Sequence, residues 1–440
     1  VKEKIRIGCG AGFSGDRLEP ALILTEKGNL DYLVLECLAE RTIALAQKRK
    51  QQDPLAGYDV LLERRIEGLL PLLLRQKTRL ITNMGAANPI AGAKKILEIA
   101  KKLGLKVKVA VVLGDDVFEQ ISGVELSMEG NQSLNSYGKL ISANAYLGVD
   151  AILPALATDA QIILTGRVAD PSLFLAPMIH ELGWDKENAD QLGKATVLGH
   201  LMECAGQITG GYFADPVTKP VPNMDILGHP IVEVRQDGSG IISKVEETGG
   251  LINLQTAKEQ LHYEVLDPGN YLTPDVVADF RSVRFEEMDS NQLKVTGGSG
   301  KTKPETLKVS VGYQAGWIGE GEISYAGANA VERAKLAGEI IEKRIGNRFD
   351  EFRVDYIGMS SLHGESLSQS ASPYEVRLRI AGKSKDKALA QLVGEEVEAL
   401  YTNGPAGGGG ARKYNNEVIG VVSILMDRTQ IHSSILVLES

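Results

Sequence analysis

Cysteine is scarce in this chain. Only Cys9, Cys37 and Cys204 occur among 440 residues, odd in number and widely spaced, which argues against a disulfide framework and suits free thiols in a reducing compartment. Long hydrophobic runs are also missing. One apolar run, residues 69–74, falls far short of the roughly 18–20 residues that span a bilayer, so no membrane partner is expected. Residues 1–8 enter a strand-like segment at once, without the apolar stretch of a signal peptide, and a cytoplasmic location is the expectation. Basic excess is absent too, the formal charge being −9, which disfavours a nucleic-acid partner. The one lysine cluster, Lys94, Lys95, Lys101 and Lys102, fits the wet face of an amphipathic helix. Neither a Walker A sequence nor the G-x-G-x-x-G dinucleotide fingerprint is present, so a nucleotide-dependent enzyme is disfavoured. Internal repeats are absent, and the only low-complexity tract is the glycine run at 407–410.

What is there is an ordinary globular balance, with 43% hydrophobic and 24% charged residues. Such a length exceeds what one core accommodates, so two domains are expected. Strand-like runs at 5–8, 32–35, 79–82, 107–113 and 161–164 alternate with helical patterns at 38–50, 60–75 and 89–103. In the last, Asn88 and Pro89 form a start signal, and Ile90, Ala93, Leu97 and Ala100 form one stripe. Short apolar strands alternating with helices predict an α/β fold with a mostly parallel sheet covered by helices. Residues 215–311 carry β-like segments at 231–235, 240–245 and 307–311, read as a β-rich insertion, and a helix at 328–345 closes the first domain (1–347). After a linker at 346–350, a small α+β domain (348–440) follows, with Ser384 as the cap of its helix at 385–401.

Ligands of open parallel sheets collect beyond the carboxyl ends of the strands, and those positions are rich in polar groups here. The first strand runs into G-C-G-A-G-F-S-G-D-R, where Gly10, Gly12, Ser14, Gly15 and Arg17 are candidate anion binders through backbone amides and one cation; a plain tight turn is the alternative. Glu36 ends the second strand, beside Cys37. Asn83 and Asn88 flank the third in T-N-M-G-A-A-N-P. Asp115 and Asp116 follow the fourth and are candidate ligands of a divalent cation, with a solvated acidic turn as the bland reading. Arg167 and Asp170 lie in T-G-R-V-A-D-P, where Asp170 also fits a helix cap before Pro171 and Arg167 a loop tether. Glu36, Asp115, Asp116, Arg167 and Asp170 form the candidate catalytic set. Cys9 and Cys37 follow adjacent strands as weaker, nucleophile candidates.

His200 and Glu203 share one helical face, which reads as a buried hydrogen-bonded pair before it reads as a metal site. Glu320 and Glu322 sit in a glycine-spaced segment and are read as paired carboxylates or as turn residues. In G-P-A-G-G-G-G-A-R-K, residues 404–413, Gly407, Gly408, Gly409 and Arg412 are candidates for holding an anion, against a connector that orders on another surface; His363 is placed near this loop.

Five segments taken together, G-C-G-A-G-F-S-G-D-R, T-N-M-G-A-A-N-P, T-G-R-V-A-D-P-S, E-C-A-G-Q-I-T-G-G-Y-F-A-D-P and G-E-G-E-I-S-Y-A-G, resemble the acyclic terpene utilisation family. The glycine run at 404–413 resembles that family's small ferredoxin-like domain. The resemblance implies breakdown of branched acyclic terpenoids through acyl-CoA intermediates, beside an acyl-CoA carboxylase. Two readings follow: an enzyme acting on a small carboxylate or acyl-CoA thioester, such as a lyase or hydratase, or a non-catalytic accessory protein. A small anionic metabolite is the expected ligand and a homo-oligomer the expected assembly.

Overall fold

A computed structural model describes residues 1–368 and 373–440. The chain forms two compact units, one of Val1–Leu134, Ile141–Gly312 and Val421–Ser440, the other of Asn135–Leu140 and Tyr313–Gly420.

The first unit is built on a ten-stranded sheet. At its centre lie five parallel strands, in the order Lys4–Ala11, Tyr32–Leu35, Arg79–Thr82, Ile162–Thr165 and Lys108–Leu113. These are the five short apolar runs of the sequence. Burial on both faces explains why they read as continuous rather than alternating hydrophobic segments. Helix Leu62–Gln76 contributes Ile66, Leu69, Leu70 and Leu73 to the core over Leu33, Leu80, Val109 and Leu164. Helix Pro89–Lys102 starts where the sequence signal puts it, with the Asn88 side chain accepting from the Ala91 amide. Its buried face is Gly92, Ala93, Ile96, Ile99 and Ala100, whereas Ile90 and Leu97 flank it half-buried. The expected stripe was thus rotated by part of a turn, because the small Gly92 lets the helix lie close to the sheet.

The sheet is mixed, not mostly parallel. Beside Lys4–Ala11 it continues antiparallel through Pro230–Arg235, Gly240–Lys244, Gln292–Thr296 and Arg284–Asp289, and beyond Lys108–Leu113 it ends antiparallel on Ser434–Glu439. The stretch read as an insertion therefore extends the main sheet. Its first two strands are joined by the tight 236–239 turn, with Gly238 at φ 81°, and strands so joined pair only antiparallel.

Among the described residues, and apart from the single turn of helix at Gly364–Leu367, the second unit has the chain order strand, helix, strand, strand, helix, strand. Its sheet runs Glu351–Ile357, Glu375–Ser384, Thr306–Ala326, Gly409–Asp427, the last two strands extending beyond this unit. Helices Ala330–Ile345 and Lys387–Asn403 place Ala337, Ile341, Val393 and Val397 against Ile323, Leu378 and Ile380. The expected division at 346–350 falls inside this unit, between its first helix and its second strand. Two long strands explain the difference: Thr306–Ala326 carries the chain into the unit, and Gly409–Asp427 carries it out. The helix at 387–403 is capped by Asp386, which accepts from the Ala388 amide, rather than by Ser384.

Residues 434–440 are expected to stabilise the ten-stranded sheet and not the second unit. Their deletion should raise amide exchange in Lys108–Leu113, which loses a complete ladder, while Glu375–Ser384 keeps its protection. The reverse pattern would contradict this topology.

Candidate functional site

Several predicted residues meet at the carboxyl ends of the parallel strands. The Arg167 guanidinium, 1% exposed, donates to the carbonyls of Leu38 and Val168 and to Asp170 Oδ1, and its Cζ lies 4.6 Å from the centre of the Tyr146 ring. Its backbone amide donates to Asp115 Oδ2 at 2.9 Å, and Asn144 donates to the same oxygen at 2.9 Å. Buried Glu36 accepts from the Leu38 amide at 2.8 Å and from Asn83 Nδ2 at 2.9 Å, while Asn83 Oδ1 accepts from the Cys37 amide. Glu36, Asn83, Asp115, Arg167 and Asp170 thus form one network. Burial raises Glu36 well above the carboxylate range, with the Asp170 charge adding to it, and pushes Asp115 up to about 6. Asp170 is not a helix cap, since helix Ser172–Leu182 has no side-chain cap. It pairs with Arg167 and keeps 36% of its side chain accessible.

Other candidates separate from this network. Asp116 does not meet Arg167 and joins Asp115 only indirectly, accepting from Gln47 Nε2 at 2.9 Å, which also reaches Asn144 Oδ1 at 3.3 Å, and from the Phe118 amide, with its side chain 42% exposed. No group of three or more His, Cys, Asp or Glu suited to a metal occurs among the described residues. Asn88 caps its helix, and its amide nitrogen donates to the carbonyls of Pro54 and Ala56, a structural role. Glu320 and Glu322 lie within strand Thr306–Ala326, not in a loop, and Glu322 pairs with Arg377. In the second unit, Gly407 and Gly410 take left-handed φ values of 72° and 66°. Strand Gly409–Asp427 begins inside the glycine run, and Arg412 is exposed. His363 is exposed.

The loop after the first strand is held from below by a residue that sequence reasoning missed. Arg65, 2% exposed on helix Leu62–Gln76, donates to the carbonyls of Ser14 and Asp16, both at 2.9 Å, and contacts Cys37 Sγ at 2.6 Å. Ser14 Oγ donates to Asp59, and the Gly12 amide donates to Asp16 Oδ2 at 2.7 Å. That amide is therefore occupied within the loop. Gly10 and Gly12 answer to packing: a Cβ on Gly10 would sit 2.7 Å from Leu35, and one on Gly12 would sit 2.5 Å from the Cys204 carbonyl carbon. A Cβ on Gly15 would meet the Phe13 ring. Burial raises the thiols of Cys9, Cys37 and Cys204, so they are protonated at neutral pH and poor nucleophiles. Cys37 faces Arg65, and Cys9 lies 3.9 Å from the Glu203 carbonyl.

Over this loop opens a cavity of about 760 Å³. One wall is Gly12, Phe13, Asp16 and Arg17; the other comes from Cys204, Gln207, Tyr212, Leu227 and Tyr263. Sheet geometry brings the walls together. Because Pro230–Arg235 pairs antiparallel with Lys4–Ala11, the start of the later strand meets the end of the earlier one, Gly8 opposite Ile231. His229 then reaches the Gly10 carbonyl at 3.2 Å. Apolar side chains stay exposed around the opening, with Phe13 at 60% and Tyr212 at 79%, a pattern of binding surfaces rather than of plain solvent-facing ones. The Arg17 guanidinium sits at the rim and donates to the carbonyls of Met224 and Asp225. Behind Cys204, His200 Nδ1 and Glu203 Oε1 are 2.9 Å apart, the expected buried pair. Burial pushes Glu203 up to about 7, against the lowering effect of His200.

A mixed α/β unit with a ligand-sized, largely apolar cavity at the carboxyl end of its first strand is the class of protein this defines. Residues 5–437 match the family model described as acyclic terpene utilisation family protein AtuA, and the chain belongs to that family. Its role accordingly lies in acyclic terpene utilisation. No curated protein and no solved structure matches the chain.

Two outcomes follow from this geometry. Arg65→Ala removes a buried cation and leaves two carbonyls short of donors, so it should lower unfolding free energy by about 3 kcal/mol and make the 12–17 loop protease-sensitive; urea denaturation and limited proteolysis check both. For Asp115 the raised folded-state pKa means that its stabilising contribution is complete below the unfolded value and is lost as pH rises through about 6. The stability difference between wild type and Asp115→Asn should therefore move in the variant's favour between pH 4 and 6 and level off above. A pH-independent difference would show that Asp115 is not shifted.

Proposed function

We propose that the chain is an enzyme acting on a small carboxylate or acyl-CoA intermediate of acyclic terpenoid breakdown, with lyase or hydratase chemistry, and that the cavity beside Gly12 is its ligand site. One observation carries this reading: two segments on which the family resemblance rests, at 8–17 and 203–216, form opposite walls of a single cavity. Its volume suits a small ligand. Phe13, Tyr212, Leu227 and Tyr263 suit a branched hydrocarbon chain, and Arg17 at the rim suits a carboxylate or the phosphates of a CoA thioester. Glu203, pushed up by burial to about 7, supplies a carboxyl group whose elevated pKa fits proton transfer near neutral pH. In the second unit the strand order 4-1-3-2, counted along that unit, with two helices, supports a ferredoxin-like reading. A cytoplasmic location and homo-oligomeric assembly belong to the same proposal.

Calorimetric titration with an acyclic terpenoid acyl-CoA, and with CoA alone, tests this. The thioester should bind and CoA alone should bind more weakly. Arg17→Ala should weaken thioester binding about tenfold, or roughly 1.4 kcal/mol, and Gly12→Val should abolish it by driving a side chain into the Cys204 backbone. Binding that neither change affects would place the site elsewhere, and tight binding without turnover would make the protein an accessory one.

A further inference from the structure

His200 is enclosed at 1% exposure, with the rings of Tyr271 and Phe280 each 5.4 Å away, centroid to centroid. Its Nε2 lies 3.0 Å from the Gln260 backbone carbonyl. A carbonyl oxygen only accepts, so Nε2 carries a hydrogen. That leaves Nδ1, at 2.9 Å from Glu203 Oε1, with two possibilities. Either a neutral imidazole accepts from a protonated Glu203, or an imidazolium donates to its carboxylate. In both, one proton lies between the two groups and the pair is neutral overall.

The second oxygen of the same carboxyl is unpaired. Glu203 is 9% exposed, and its Oε2 is buried without a hydrogen-bond partner, as are the side-chain oxygens of Gln207 and Gln260. The residues that carry these acceptors are tied to the end of the helix that bears the pair. Gln207 donates its backbone amide to the Cys204 carbonyl, one residue beyond Glu203, and Gln260 donates its side-chain nitrogen to the His200 carbonyl at 3.1 Å. Cys204 and Gln207 form part of the cavity wall. Three desolvated acceptors are costly unless a donor reaches them. Other titratable groups near Glu203 are Cys9, Cys204, Asp170, Glu264 and Tyr271; Asp170 and Glu264 add negative charge there and favour the proton-bearing form.

We propose that His200 and Glu203 are the acid–base pair of this cavity, sharing one proton across Nδ1 and Oε1 and offering Oε2, behind the Cys204 and Gln207 wall, to a ligand hydroxyl. On proton transfer the ligand's O–H bond breaks, its electron pair stays on the ligand oxygen, and a bond forms from Glu203 Oε2 to that hydrogen. The shared proton settles on Nδ1, and the His200 imidazolium balances the new anion. The reverse sequence returns the proton. A hydroxyl-bearing ligand rests on the reading of the cavity as a terpenoid site; the shared proton does not.

Infrared difference spectra between acid and alkaline pH, with nitrogen-15 NMR of the histidines, test the pair in the ligand-free protein. One carboxyl band titrating near neutral pH should vanish in Glu203→Gln, and His200 should keep its Nε2 hydrogen throughout. His200→Phe should move that titration. A spectrum unchanged by Glu203→Gln, or a neutral His200 protonated on Nδ1, would overturn the proposal. In a second measurement, an acyclic monoterpenoid alcohol should bind at least about tenfold more tightly than its methyl ether, roughly 1.4 kcal/mol, and Glu203→Gln should erase the difference. If the titration is present but neither compound binds, the terpenoid reading fails and the proton pair stands. If the alcohol binds no better than the ether, Oε2 is not the acceptor and the ligand half of the proposal is overturned.

Discussion

The interaction on which the centre of the first unit depends is the buried guanidinium of Arg167. A cation enclosed to 1% exposure is tolerated only if its donors are satisfied and its charge is answered. Both conditions organise the strand ends around it. Its donors fix the carbonyls of Leu38 and Val168, its charge answers Glu36 and Asp170, and its own amide turns Asp115 inward. Without it, the largest offset to the burial that pushes both Glu36 and Asp170 above the usual carboxylate range would be lost. Side chain and amide together therefore hold loops that follow three different strands in register, which a purely apolar contact could not do with the same directionality.

Arg65 does a related task one strand away. It reads two successive carbonyls of the 12–17 loop and so gives a glycine-rich segment a single conformation. The loop then forms a rigid wall of the cavity. Glycine matters there for closeness, since the Cys204 backbone comes within 2.5 Å of where a Cβ on Gly12 would lie. The amide at Gly12 is consumed by Asp16, and recognition falls to the side chains around the opening.

The change from parallel to antiparallel pairing at Lys4–Ala11 gives the cavity its place. A parallel neighbour on both sides would have brought the amino end of another strand to the far edge. The antiparallel neighbour brings its beginning, with His229 and the segment that precedes it, to the near edge. The second unit has its own core and its own sheet, and the two long strands that enter and leave it need no irregular linker.

The sequence by itself determined the five central strands, the helix beginning at Asn88 and Pro89, the family, and the position of Glu36, Asn83, Asp115, Arg167 and Asp170 just past the strand ends. These follow from local patterns: apolar runs sealed on both faces, a capping residue, and polar groups placed just after parallel strands. The tertiary structure alone decided the rest. Strand direction beside Lys4–Ala11, the return of residues 434–439 to the first sheet, and the unit boundaries at 312 and 420 depend on pairings between residues hundreds of positions apart, which leave no local periodicity. Arg65 on its helix reads like any surface arginine until the loop above it is placed. The neighbours Asp115 and Asp116 look equivalent in sequence, yet successive side chains diverge, so one is buried against Arg167 while the other meets Gln47. Likewise His200 and Glu203 share a helical face by spacing alone, but only the distant Gln260 carbonyl fixes which imidazole nitrogen carries the hydrogen.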